Sequence, residues 1–190
     1  MQEYPDLILP LAAVNCWDPE EMKAEMRRCC NELGFWGVKL HPWWNQYPES
    51  GPNIRLACEF CHERGLILTN HNWGTPDILE KYARDFPNAR LITGHLVWDD
   101  ETCAVVNRYP NVYVCTCLPV QYPDLAIALG KLDPDRVLFG SDIPDLPIQA
   151  GFGPVLYARI GDDLKRKIMG LNAQRMLDEV RANVREARGA

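Results

Sequence analysis

Apolar and polar positions along the chain repeat one unit. A short apolar run gives way to a polar turn and then to a stretch with one apolar face at helical spacing. Six runs read as strands: Leu7–Val14, Gly37–His41, Leu66–His71, Arg90–His95, Val112–Cys117 and Val137–Asp142. They begin roughly 22 to 30 residues apart, the spacing of βα units, which predicts a parallel sheet. The stretches between them predict helices at Glu20–Leu33, Asn53–Arg64, Pro76–Phe86, Asp99–Tyr109 and Asp124–Leu132, with a last one over Asp163–Arg188. Asp18-Pro19 and Thr75-Pro76 are helix starts, with a capping side chain before a proline whose fixed φ suits the first turn. Gly34 and Gly65 are helix stops. No linker or change of composition divides the chain, so residues 1–190 read as a single domain.

Six βα units fit part of a (β/α)8 barrel, which takes about 250 residues when whole. A doubly wound open sheet is the alternative, and it usually carries a glycine-rich phosphate loop after its first strand. Here that strand runs into Ala13-Val14-Asn15-Cys16-Trp17, with no glycine. The Gly151-Phe152-Gly153-Pro154 segment reads as a loop that neither follows a strand nor opens a helix. The expectation is an α/β fold, a partial TIM-type barrel.

Charge narrows the partners. Twenty basic and 26 acidic residues leave a net charge of −6 with no basic stripe, which argues against nucleic acid. No apolar run approaches the 18 or so residues of a membrane span. The N-terminal apolar patch lacks the basic lead of a signal peptide. The eight cysteines mostly lie inside apolar stretches, where a thiol behaves as a small hydrophobe, so they read as reduced and the protein as cytoplasmic. Cys58-Glu-Phe-Cys61-His62 fits a haem-attachment spacing, but it falls within a helical pattern and reads as a chance match. Cys115 and Cys117 alternate on one strand face without further ligands nearby, weak evidence for zinc.

The histidines carry the chemistry. Barrel enzymes place reactive groups at the C-terminal ends of their strands. His41, His71 and His95 each close a predicted strand, and Asp142 closes another in the same manner. Only His62 falls on a helix. One strand-end histidine is usually structural; three with an aspartate on one face of a sheet point to a metal or acid–base site. Imidazole and carboxylate together suit a zinc-like divalent ion with an open coordination position. Trp17, Trp43, Trp44, Trp73 and Trp98 also follow strand ends. They either cover the barrel mouth as packing or form a flat apolar wall for a planar, aromatic small molecule.

These residues resemble a known family. Gly37-Val38-Lys39-Leu40-His41-Pro42, the strand ending in His71, and Phe86 through Gly94-His95 are similar to the amidohydrolase-2 family; so are Arg136 through Ser141-Asp142 and Asn172-Ala173-Gln174-Arg175. That branch of the amidohydrolase superfamily holds metal-dependent hydrolases and decarboxylases of aromatic acids. The resemblance makes the strands at His71, His95 and Asp142 the family's fifth, sixth and eighth. It implies His71 as a metal ligand and Asp142 as metal ligand and proton acceptor. It implies His95 as a residue that polarises substrate or holds a second ion. His41 has no fixed family role; it shares a strand face with Lys39 and is a candidate to complete the metal site. Some relatives carboxylate a fourth-strand lysine to bridge two metals, a role open to Lys39.

The resemblance also marks a departure. The family's first strand carries a His-x-His pair, and this sequence has none. Its first strand corresponds to the family's third, so the six units stand for strands 3–8. The implied activity is metal-dependent hydrolysis of an ester, amide or lactone, with Asp142 and His95 as catalytic groups. The alternatives are non-oxidative decarboxylation of an aromatic acid, or an inactive remnant or assembly subunit. An incomplete barrel leaves an unpaired edge at Leu7–Val14, from which a homo-oligomer is expected.

Overall fold

The computed structural model describes residues 7–95, 99–117 and 125–187. Trp98, the start of the helix expected from Asp124 and the end of the one expected to reach Arg188 lie outside the described residues. Six strands, β1 (Ala12–Ala13), β2 (Gly37–Leu40), β3 (Ile67–Asn70), β4 (Arg90–Thr93), β5 (Val112–Cys115) and β6 (Val137–Leu138), form one parallel sheet in sequence order. Each is joined to the next by helical segments: α1 (Pro19–Arg27), α2 (Pro52–Arg64), α3 (Pro76–Asp85), α4 (Asp100–Arg108) and α5 (Leu125–Leu129). Helices α6 (Ile148–Leu156), α7 (Asp162–Arg166) and α8 (Asn172–Ala187) follow β6. This is the curved sheet and outer helical layer of a partial TIM barrel.

Local chemistry sets the helix limits. The Asp18 carboxylate accepts from the backbone N–H groups of Glu20 and Glu21, with Pro19 in the first turn of α1. Gly65 ends α2 in the left-handed region at φ 60°, where a side chain would be strained and would also meet Asn183. Strand residues alternate between the two faces. Val38 and Leu40, Leu68, Leu91, and Val112 and Val114 are fully buried, packed with Met22, Met26, Ile54, Val106 and Val180 in one core. Each such apolar side chain contributes about 2 kcal/mol on burial. Lys39, Thr69 and Ile92, aligned across β2, β3 and β4, occupy the opposite, inner face and are only half-buried.

Several expectations need correction. The strand expected over Leu7–Val14 shrinks to Ala12–Ala13, with Leu7 and Ile8 exposed. Pro10 has no N–H for a ladder; its carbonyl accepts from Trp36 N–H instead. The segment Gly151–Pro154 is not a loop but lies inside α6. The single C-terminal helix is two, separated by a π-helical stretch over Lys167–Leu171. Cys115 and Cys117 are not free thiols: the strand bends after Cys115, their Cα atoms come within 5.5 Å, and the sulfurs are joined. The other six cysteines are free and buried. Cys58 and Cys61 are fully enclosed, which agrees with a chance haem match.

The π-helical stretch is tied to the sheet. Ile168 carbonyl accepts from Phe139 N–H at 3.0 Å, just past β6. The buried Asn172 amide donates to the carbonyls of Val137 and Pro134, both at 2.8 Å, and Arg175 donates to the Asp135 carbonyl at 2.6 Å. The Asn-Ala-Gln-Arg motif therefore anchors β6, and so fixes the chain that delivers Asp142.

Candidate active site

The sheet register continues beyond the strands. His71 N–H donates to Leu40 carbonyl and Gly94 N–H to Asn70 carbonyl, both at 3.0 Å. These bonds hold the residues after β2, β3 and β4 side by side, as the parallel ladder requires. The rings of His41 and His71 stack with centroids 3.8 Å apart, and those of His71 and His95 meet edge-on at 4.3 Å. His95 Nε2 lies 3.7 Å from Asp142 Oδ2, too far for a direct hydrogen bond and close enough for the carboxylate to act on the ring electrostatically. These four residues thus form one continuous line across the mouth of the sheet, although the strand expected to reach Asp142 stops at Leu138 and leaves Asp142 on the loop beyond β6. His95 and Asp142 both hold positive φ, at 51° and 58°. Left-handed backbone of this kind in non-glycine residues clusters at functional sites.

Burial controls the charge of this line. The His71 imidazole is pushed down to about 4, first by desolvation and then by His41, His95 and the Lys39 ammonium. Desolvation also lowers His41. It lowers His95 as well, with the Asp142 carboxylate pulling in the opposite sense. The histidines are therefore neutral at pH 7, the form that ligates a metal or accepts a proton. His41 Nδ1 accepts from Trp44 N–H at 3.3 Å. With that nitrogen engaged, the proton of the neutral ring is placed on Nε2.

A divalent metal would draw its donors from this line. The donors are right in kind: two neutral imidazoles, His71 and His95, and one carboxylate, Asp142. His95 Nδ1 is buried without a hydrogen-bond partner, an orphan that a ligand could satisfy. They fall short in number and placement. Among the described residues no group of three or more His, Cys, Asp or Glu is arranged to hold an ion. His71 and Asp142 are the two that would hold it, and a tight zinc site takes about three protein ligands. The chain is accordingly expected to bind Zn²⁺ or Mn²⁺ with a Kd weaker than about 1 µM by calorimetry. His71→Ala should remove that binding, and stoichiometric metal surviving dialysis against a chelator would contradict it.

The low His71 value also sets a pH dependence. Its ordinary value is 6.5, so between pH 6.5 and about 4 the unfolded chain binds a proton that the folded chain refuses. Stability then rises with pH through that window and is lost on acidification. Lowering the pH of the metal-free protein from 7 to 5 should reduce Tm, and His71→Gln should shrink that drop. Equal drops in both proteins would refute the assignment.

The tryptophans divide. Trp73 is buried and donates from its indole to Ile92 carbonyl, so it packs against the sheet while one part of it lines the cavity beside His95. Trp17, Trp43 and Trp44 are exposed. Trp43 lies nearly parallel to His71, at 16° with centroids 6.3 Å apart, and Trp44 stands edge-on to Trp43. His62 is remote: it sits on α2 and accepts from Asn88 N–H. The cleft of about 470 Å³ beside it, lined by Arg64, Asn88 and Arg90, lies at the N-terminal ends of the strands, away from the reactive line. A smaller cavity of about 170 Å³, lined by Trp73, Thr93 and His95, opens onto that line.

Sequence and fold now meet the same family. The amidohydrolase family profile matches residues 1–178. The chain belongs to the amidohydrolase family. No curated protein matches this amidohydrolase in sequence. Solved structures similar to it include an uncharacterized TIM-barrel protein from Bordetella bronchiseptica, 23% identical with a TM-score of 0.74 over 94% of this chain and 69% of that one. Another is 2,6-dihydroxybenzoate decarboxylase from Rhizobium, 19% identical with a TM-score of 0.70 over 93% of this chain and 73% of that one. A third is a dihydroxybenzoic acid decarboxylase from Polaromonas, solved with bound manganese and the inhibitor 2-nitroresorcinol. It is 18% identical with a TM-score of 0.62 over 85% of this chain and 66% of that one. At these identities the likeness establishes the shared fold. No helix among the described residues is long and apolar enough to cross a membrane.

The candidate residues His41, His71 and His95 were visible in the sequence because strand ends are. Lys39 was visible only as a candidate bridge. Its signal was the two-residue alternation that puts it on the face of His41.

Proposed function

We propose that this amidohydrolase removes carbon dioxide from a hydroxylated aromatic acid, without an oxidant. The observation that carries the reading is the exposed Trp43 ring lying nearly parallel to the neutral His71 ring. A flat, open aromatic surface beside proton-transfer groups suits a planar ring whose carbon must be protonated. The similar decarboxylases support the choice, since one carries an aromatic inhibitor.

His71 and Asp142 are too few to hold a divalent ion tightly; an added ion would supply Lewis-acid polarisation of the substrate's oxygens. The remaining work falls to the chain. His41 donates from Nε2 toward a substrate oxygen at the mouth. The ring lies against Trp43, which excludes water from one face. The His95–Asp142 pair takes a proton from solvent and delivers it to the ring carbon that bears the carboxylate. The bond from that carbon to the carboxylate then breaks. Its electron pair restores the aromatic ring, and carbon dioxide leaves.

Hydrolysis of an ester, amide or lactone is the second reading, because the same pair can deprotonate a water. The two separate on one assay with the full chain and added Mn²⁺ or Zn²⁺. Decarboxylation predicts conversion of 2,6-dihydroxybenzoate to resorcinol, followed by liquid chromatography. Cleavage of an ester or lactone panel with no loss of carbon dioxide would transfer the assignment to hydrolysis.

A further inference from the structure

Lys39 is the one cation on the reactive face whose charge the described structure leaves without a close partner. It lies in the middle of β2, aligned with Ala13 on one side and Thr69 on the other, one inner-face step below His41. It is half-buried. Among the described residues no hydrogen bond or ion pair reaches its ammonium, although the lysines at positions 23, 131, 165 and 167 each have one and the exposed Lys81 lies over the Tyr82 ring. Its charge nevertheless acts on His41, His71, His95 and Asp142 alike. A cation removed part-way from water, without a neutralising contact, is costly unless a ligand supplies one. The Asp142 carboxylate acts on Lys39 electrostatically, but it faces His95 at 3.7 Å, and among the described residues no Lys39–Asp142 ion pair is formed.

We propose that Lys39 receives the carboxylate of the substrate, and that this site therefore selects small aromatic anions over their neutral counterparts. The proposal rests on the aromatic-acid reading above and names what that reading leaves open, namely the group that distinguishes an acid from a phenol. The neutral imidazoles cannot do this, since they offer hydrogen bonds and no charge. An ammonium offers three donors and a full charge in a partly desolvated place, where charge-assisted hydrogen bonds are strongest. Thr69, beside it in register and half-buried, supplies a hydroxyl on the same face. In the reaction Lys39 is a binding group: it holds the carboxylate while the ring carbon takes its proton, and releases carbon dioxide because the neutral product has no affinity for a cation.

The test is equilibrium binding by calorimetry to the full chain, with chelator present so that no metal contributes. The probes are 2,6-dihydroxybenzoate and resorcinol, which differ by the carboxylate. The wild-type protein should prefer the acid by about tenfold or more. Lys39→Met should lose most of that preference with resorcinol binding unchanged, and Lys39→Arg should retain it. Circular dichroism melts establish that each variant is folded; if Lys39→Met does not fold, Lys39→Gln takes its place. Equal binding of the acid by wild type and Lys39→Met overturns the proposal, as does a wild-type protein with no preference for the acid. The outcomes separate from those of the parent reading. Lys39-dependent acid binding with no carbon dioxide release keeps this proposal and removes decarboxylation. Release of carbon dioxide with Lys39-independent binding does the reverse.

Discussion

Asp142→Asn is expected to lower turnover of an aromatic acid by about 10²- to 10⁴-fold, the range lost with a general acid–base group. The substitution keeps the side chain's size and planar shape. It removes the negative charge that faces His95 Nε2 at 3.7 Å and the site on which a proton can rest. Asparagine is the informative choice because residue 142 holds a φ of 58°. Aspartate and asparagine both tolerate the left-handed region, whereas alanine would add backbone strain and confuse the result. The anchors of this segment, Ile168 carbonyl on Phe139 N–H and Asn172 on Val137 carbonyl, do not touch the carboxylate. Tm should therefore stay close to that of the wild type while single-turnover chemistry collapses. An Asp142→Asn protein that turns over at the wild-type rate would show that the pair does not move the proton.

Gly37→Ala should abolish the fold rather than the chemistry. A Cβ at position 37 would lie 1.9 Å from the Ile67 carbonyl oxygen and 2.7 Å from its carbon. Both are backbone atoms of β3, paired in register with Gly37, so neither can rotate away. The only relief is separation of β2 from β3, the two strands that deliver His41 and His71. A cost of about 4 kcal/mol or more is expected, at the extreme of single substitutions and comparable to the whole stability of many domains. Soluble yield and a urea melt measure it. Gly170→Ala is the control: nothing lies within 4 Å of a Cβ there, and its helical setting favours alanine by about 0.5–1 kcal/mol. Comparable stability of Gly37→Ala and the wild type would mean that the β2–β3 register is not as described.

The contrast between these two glycines shows what a sequence conveys. Periodicity exposes which residues share a face, and it placed His41, His71 and His95 just past strand ends because a parallel sheet aligns its ends; Asp142 instead follows β6 on a loop, since that strand stops at Leu138. It does not expose a close approach between strands, so Gly37 carried no signal beyond its type. Nor does it reveal where a ladder stops. Pro10 cut the first strand to Ala12–Ala13, since ladder pairing needs an N–H that proline lacks. Helix α6 was illegible because glycines and Pro154 write a loop pattern that tertiary packing of Gly151 and Val155 overrides. The tryptophans looked alike in sequence, yet Trp73 packs beneath the sheet's rim while Trp43 and Trp44 face outward. Pairing of Cys115 with Cys117 depended on a bend after β5 that alternation alone does not predict.

The most direct test of the account is the reaction run in D₂O with 2,6-dihydroxybenzoate, the full chain and added Mn²⁺, with the product examined by NMR and mass spectrometry. Proton delivery by His95 and Asp142 to the ring carbon predicts resorcinol carrying a single deuterium at the carbon that held the carboxylate. It also predicts an equal yield of carbon dioxide, with both lost in Asp142→Asn. Unchanged acid, or ester cleavage by the same protein without any carbon dioxide, would contradict it.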